Sequence, residues 1–167
     1  YALQLTFIVE IFNSSSELSD YQNSELIKWF WSTAFTRHFG YSNTGQNSRD
    51  LEKVRGFAKS DFGKITLERD ILLERLVYDE FRLNIANSKT FALLLASKKP
   101  RNLLDGNPFN LYSSLTEVNR FEFSHIIPPS LYPERNLNVC LNIILLNSKD
   151  NLQFSANRPS IVFENLL

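Results

Sequence analysis

Apolar and polar positions alternate with two textures along this chain. Residues 2–12 place Ala2, Leu5, Ile8, Val9 and Phe12 at helical spacing, which predicts a helix with that stripe inward. "NSSSELSD" then interrupts with cap and turn residues. Residues 21–38 predict a second helix that buries Leu26, Trp29, Phe30 and Phe35. "FGYSNTGQNS" reads as a loop, and a third helix is expected from near Ser48, with acids early in it as the helix dipole favours. "TLERDILLERLVYDEF" predicts a fourth helix with Leu72, Leu76 and Phe81 inward. "SKTFALLLASKK" predicts a fifth, opened by Ser88 and closed before Pro100.

The texture changes after Pro100. "PRNLLDGNPFNLYSS" is rich in turn residues. Two short apolar runs follow, "FEFSHII" and "VCLNIILL", too short for helices and rich in Phe, Ile, Leu and Val, so they read as strands. Between them "PPSLYPERNLN" carries three prolines and forms no regular element. Pro159 suits the first turn of a helix beginning near Asn157. The expected fold is therefore mainly α: a helical body over 1–105, then a small ββα module over 106–167 packed with it.

Composition narrows the classes. With 43% hydrophobic residues, 13% aromatics and 14 Phe in 167 residues, the chain can bury a sizeable core. No run approaches the roughly 20 apolar residues that cross a bilayer, so no membrane role is expected. The apolar start has no basic flank or small-residue cleavage site. The single cysteine, Cys140, excludes an internal disulfide and a cysteine-built zinc site, and fits a cytoplasmic setting. It reads as a buried, small apolar side chain. With no methionine in the sequence, a piece of a longer protein is expected. Net charge is zero, yet residues 53–104 carry eleven Lys/Arg against six Asp/Glu, while 121–167 carry three against four. Phosphate contacts are expected from Lys98, Lys99 and Arg101, just before the module.

His125 is one of two histidines, and it closes the first apolar run. A strand ending in histidine, a second strand and a helix is the layout of HNH nucleases. Phosphodiester hydrolysis needs a base for the attacking water, and neutral imidazole suits that role. It also needs a divalent metal at the leaving oxygen. His125, Asn142 and Asn151 follow in the order H, N, N, with Pro128 after the histidine and Leu145 and Leu146 before Asn151. His125 is the expected base, Asn142 the residue that orients it and its loop, and Asn151 a metal ligand, with Asp150 or Glu122 as the accompanying acid. Each has a plainer reading: His125 as a packed core residue, Asn142 as a turn-closing amide, Asn151 as a helix cap. Trp29 and Trp31 read as packing residues. Arg37 and His38 read as phosphate contacts or as cations at a helix C-terminus.

Three stretches carry a family resemblance: "ELIKWFWSTAFTRHFGYSN" with "RDLEKV", "NSKTFALLLASKKPRNLLDGNPFN", and "SHIIPPSLYPERN" with "NVCLNIILLNSKDNLQFSANRPSIVF". Together they resemble the C-terminal region of GmrSD-type modification-dependent restriction endonucleases, from about residue 20 to 165. The resemblance implies a bacterial anti-phage endonuclease of the HNH type that cuts phage or modified DNA with Mg²⁺ or Mn²⁺. It also implies an N-terminal, ParB-like nucleotide-dependent domain in the same or a partner chain, and allows a homo-oligomer. One departure stands out. The family places Asp, Glu or His before the catalytic histidine, and here it is Ser124. A hydroxyl is a poor ligand for a hard dication. The alternative is thus a degenerate HNH module that binds DNA, oligomerises or regulates without catalysis.

Overall fold

The computed structural model describes residues 2–40, 42–67, 70–71, 73–109, 121–156 and 159–164. The chain is mainly helical, with a two-stranded antiparallel sheet near its C-terminus. It divides into two compact units, residues 1–73 and 74–167. Contacts join the segment after Leu73 to the sheet within the second unit.

In the first unit, α1 (Ala2–Ser14), α2 (Asp20–Phe35) and α3 (Thr44–Ala58) surround a core of Phe7, Ile11, Trp29, Val54, Phe57, Ala58 and Ile65. Phe39 reaches into it, with ring centroids 5.1 Å from Phe7 and 5.9 Å from Trp29. Ser19 opens α2 with a capping box: its hydroxyl accepts from Gln22 N–H, and its own N–H donates to the Gln22 side chain. Trp29 is buried as expected, and Leu26 and Phe30 pack against the core.

The inward face of α1 differs from the expected stripe. Gln4, Phe7 and Ile11 are buried, whereas Leu5, Val9 and Phe12 are exposed. This helix is apolar nearly all round, so periodicity alone does not select a face. The choice falls where Phe7 and Ile11 meet aromatic partners and Gln4 Nε2 donates to Phe30 O and Thr33 Oγ1, both at 2.8 Å. The third helix begins at Thr44 rather than near Ser48, because the Asn43 side chain accepts from Gln46 N–H and starts it earlier.

The expected fourth helix is reduced to α4 (Glu74–Tyr78). Its stretch straddles the unit boundary, with Ile65 buried in the first unit and Leu76 in the second. Leu72 lies outside the described residues. Phe81 packs on Phe123 at 5.5 Å. Helix α5 (Ala86–Ser97) starts before Ser88, whose hydroxyl instead accepts Arg82 N–H from the preceding turn at 2.9 Å.

Strand β1 is Phe121–His125 and β2 is Ile143–Asn147, paired from Phe121↔Asn147 to His125↔Ile143. Both are shorter than their apolar runs. Ile126 and Ile127 leave the ladder, and Cys140–Asn142 forms a single 3₁₀ turn before β2. A helix that the pattern did not predict, α6 (Ser148–Ala156), follows β2 at once, and α7 (Pro159–Glu164) has Pro159 in its first turn as expected. Asn147 nucleates α6: its Oδ1 accepts Asp150 N–H at 2.8 Å. Leu146 and Phe154 are fully enclosed, with Leu103, Leu104 and Ile144 against them.

Candidate functional site around His125

The site is built where β1 ends. Pairing opposite Ile143 brings His125 to the last rung of the sheet. The chain then turns into the proline-rich loop, which Asn142 holds at both ends. Asn142 Oδ1 accepts Ile127 N–H at 2.9 Å, and its Nδ2 donates to Ile127 O and Leu137 O, both at 2.8 Å. Its backbone carbonyl takes Ile126 N–H at 2.9 Å. Asn142 therefore binds the loop, while the imidazole meets another residue. His125 Nε2 lies 3.1 Å from Asn138 Oδ1. Asn138 Nδ2 donates to Glu80 Oε1 at 3.0 Å, and Arg82 pairs with Glu80 at 2.7 Å.

Side chains alternate across a strand. Glu122 and Ser124 thus share one face of β1, while Phe123 and His125 share the other. Helix α6 lies against the Glu122 face, where Asn151 Nδ2 donates to Glu122 Oε2. The structure therefore brings Glu122 and Asn151 together and places His125 at the strand end beside Asn138. Asp150 is buried and turned to Asn147, whose Nδ2 donates to its carboxylate at 2.7 Å. Lys98, Lys99 and Arg101 follow α5 and are exposed, with Arg101 Nη1 donating to Gly106 O at 3.0 Å.

Among the described residues, no three His, Cys, Asp or Glu side chains converge as a metal cluster. The oxygen donors beside α6 are the Glu122 carboxylate and the Asn151 amide, both toward solvent.

Electrostatically, Glu80 is the tuned acid of this neighbourhood. The Arg82 hydrogen bond, assisted by that from Asn138, holds its carboxyl below the ordinary carboxylate range. Cys140 is buried nearby in sequence, and desolvation pushes its thiol up, so it is a packing residue and not a nucleophile.

Neither Asn138 nor Glu80 was singled out by spacing. Asn138 sits among other polar loop residues, and Glu80 is 58 positions away in sequence. Their local signal was only a polar pair beside apolar runs. His38, considered above for phosphate contact, is instead buried in the first unit. Its Nε2 is 2.6 Å from Asp50 Oδ2, and Gln46 Nε2 donates to Asp50 Oδ1 at 2.9 Å.

Among the described residues no helix is long and apolar enough to cross a membrane. No family model matches this chain, and neither a curated protein nor a solved structure matches it.

Proposed function

We propose that this chain is the DNA-cleaving part of a cytoplasmic anti-phage restriction protein, an HNH-type endonuclease with a ββα site. The observation that carries the reading is the loop clamp by Asn142 immediately beyond His125. A histidine base must be held at a fixed point against a phosphodiester, and a loop pinned on both sides does this. The GmrSD-type resemblance supports the substrate class.

In this reading His125 takes the proton of the attacking water. Asn142 keeps the strand end and loop rigid. Glu122 and Asn151, together on the α6 face of β1 and across the strand from His125, would hold Mg²⁺ or Mn²⁺, whose charge would offset that on the leaving oxygen. Lys98, Lys99 and Arg101 attract the phosphate backbone, which makes binding salt-dependent. A nucleotide-dependent domain, in the same or a partner chain, would gate the cut.

A second reading is favoured by Ser124, which faces the α6 side where the family carries a metal-binding residue. It makes the module a non-catalytic DNA-binding, oligomerising or regulatory unit. Plasmid cleavage separates the two. The first reading expects Mg²⁺- or Mn²⁺-dependent nicking that falls by about 10²–10⁴-fold in His125→Ala with folding intact. No nicking by wild type with either metal, with DNA retained in a gel shift, supports the second.

A further inference from the structure

We propose that Glu80 and Asn138 are positioning residues that hold His125 in its Nε2–H tautomer, making Nδ1 the nitrogen that accepts a proton. This rests on the reading of His125 as the base. An amide can turn either end to a neighbour, so Asn138 alone would leave the tautomer open. Glu80 removes that freedom. Its carboxylate only accepts, so Asn138 must turn its NH₂ to Glu80 at 3.0 Å. The amide oxygen then faces His125 Nε2 at 3.1 Å. An acceptor opposite Nε2 requires the proton there, and a neutral imidazole carries only one N–H.

The backbone fixes both ends of this relay. Glu80 and Val139 form an antiparallel bridge, and Phe81 N–H donates to Asn138 O at 2.8 Å. Arg82, at 2.7 Å, keeps the Glu80 carboxylate ionised and in place. The segment before α5 is therefore part of the site, although it lies far from the His-Asn-Asn spacing.

The test is nitrogen NMR of the chain labelled at histidine, without metal or DNA. Wild type is expected to show unprotonated Nδ1 and a slowly exchanging Nε2–H on His125. Asn138→Ala should lose that protected proton, whereas Asn138→Asp combined with Glu80→Gln, which keeps an oxygen toward His125 and turns the neighbouring acid into a donor, should retain it. Glu80→Gln, at a half-exposed position that leaves folding intact, should speed its exchange. In plasmid nicking, Asn138→Ala should lose about tenfold or more, as outer-shell partners of a histidine do. An Nδ1–H tautomer in wild type, or Asn138→Ala spectra unchanged at His125, overturns the proposal. Nicking that survives His125→Ala while the Nε2–H signal stands overturns the base assignment and leaves the relay in place.

Discussion

The two units use side-chain amides in opposite ways. In residues 1–73 the amides join helices that already satisfy their own backbones. Gln4 ties α1 to α2, and Gln22 Nε2 reaches Phe57 O and Ser60 O at 3.1 Å, tying α2 to the end of α3. An apolar core lies between them. In residues 74–167 the amides replace secondary structure. Asn142 serves the loop's backbone groups, Asn147 starts α6, and Asn102 accepts Leu104 N–H at 3.0 Å in the turn before Gly106. Buried backbone groups must find partners. Where ladders are short, asparagine supplies them. In the first unit amides thus join packed helices, and in the second they serve loop and turn backbone beside a smaller apolar cluster.

Breaking each unit at its own anchor sharpens that contrast. Trp29→Ala should cost about 3–5 kcal/mol, read as a lower denaturant midpoint, because it leaves a cavity amid Phe7, Phe39 and Val54. Asn142→Ala should cost less, about 2–3 kcal/mol, by leaving Ile127 and Leu137 backbone groups unpaired. Its signature should be faster amide exchange at Ile127, with the β1–β2 ladder retained. Asn142→Asp should be equally harmful, since it exchanges a double donor for an acceptor facing two carbonyls.

Electrostatic changes should be smaller. Replacing Lys98, Lys99 and Arg101 together by alanine should weaken DNA binding and flatten its salt dependence by up to about three units of log–log slope. Unchanged slope in a fluorescence titration removes them from the interface. Glu25 gives the smallest effect. The Lys28 hydrogen bond, joined by that from Thr66, outweighs desolvation and lowers its carboxyl below its ordinary value of 4.5. Its stabilisation is therefore present above that value and lost as pH falls through the lowered one. Urea midpoints between about pH 6 and pH 3 should drop less steeply in Glu25→Gln than in wild type.

Legibility followed the same division. The α2 helix, with Trp29 inward, could be read from its pattern, because an amphipathic helix advertises its buried face. Helix α1 could not, since Leu5, Val9 and Phe12 match Phe7 and Ile11 in hydropathy and only tertiary partners decide. The two strands were visible as apolar runs, but their ends were not, because Asn142 determines where pairing stops. Helix α6 was missed because "SKDNLQFSA" is polar, and its start depends on the Asn147 side chain. In the candidate site His125, Asn142 and Asn151 were nameable from spacing, and Glu122 as the acid near the histidine in sequence. Asn138 and Glu80 were not, since an ordinary amide and an ordinary acid acquire significance only through the fold.

The Asn142 clamp also bears on how this segment tolerates change. It gathers Ile127 and Leu137, so the chain between them leaves and returns at almost one point. Loop-closure entropy grows only slowly with length. Residues inserted near Pro133 should therefore pass without moving the strand register, whereas a single deletion beside Ile127 should pull on it directly. A peptide grafted at the tip should leave the β1–β2 pairing in place, which amide exchange of the strands would check.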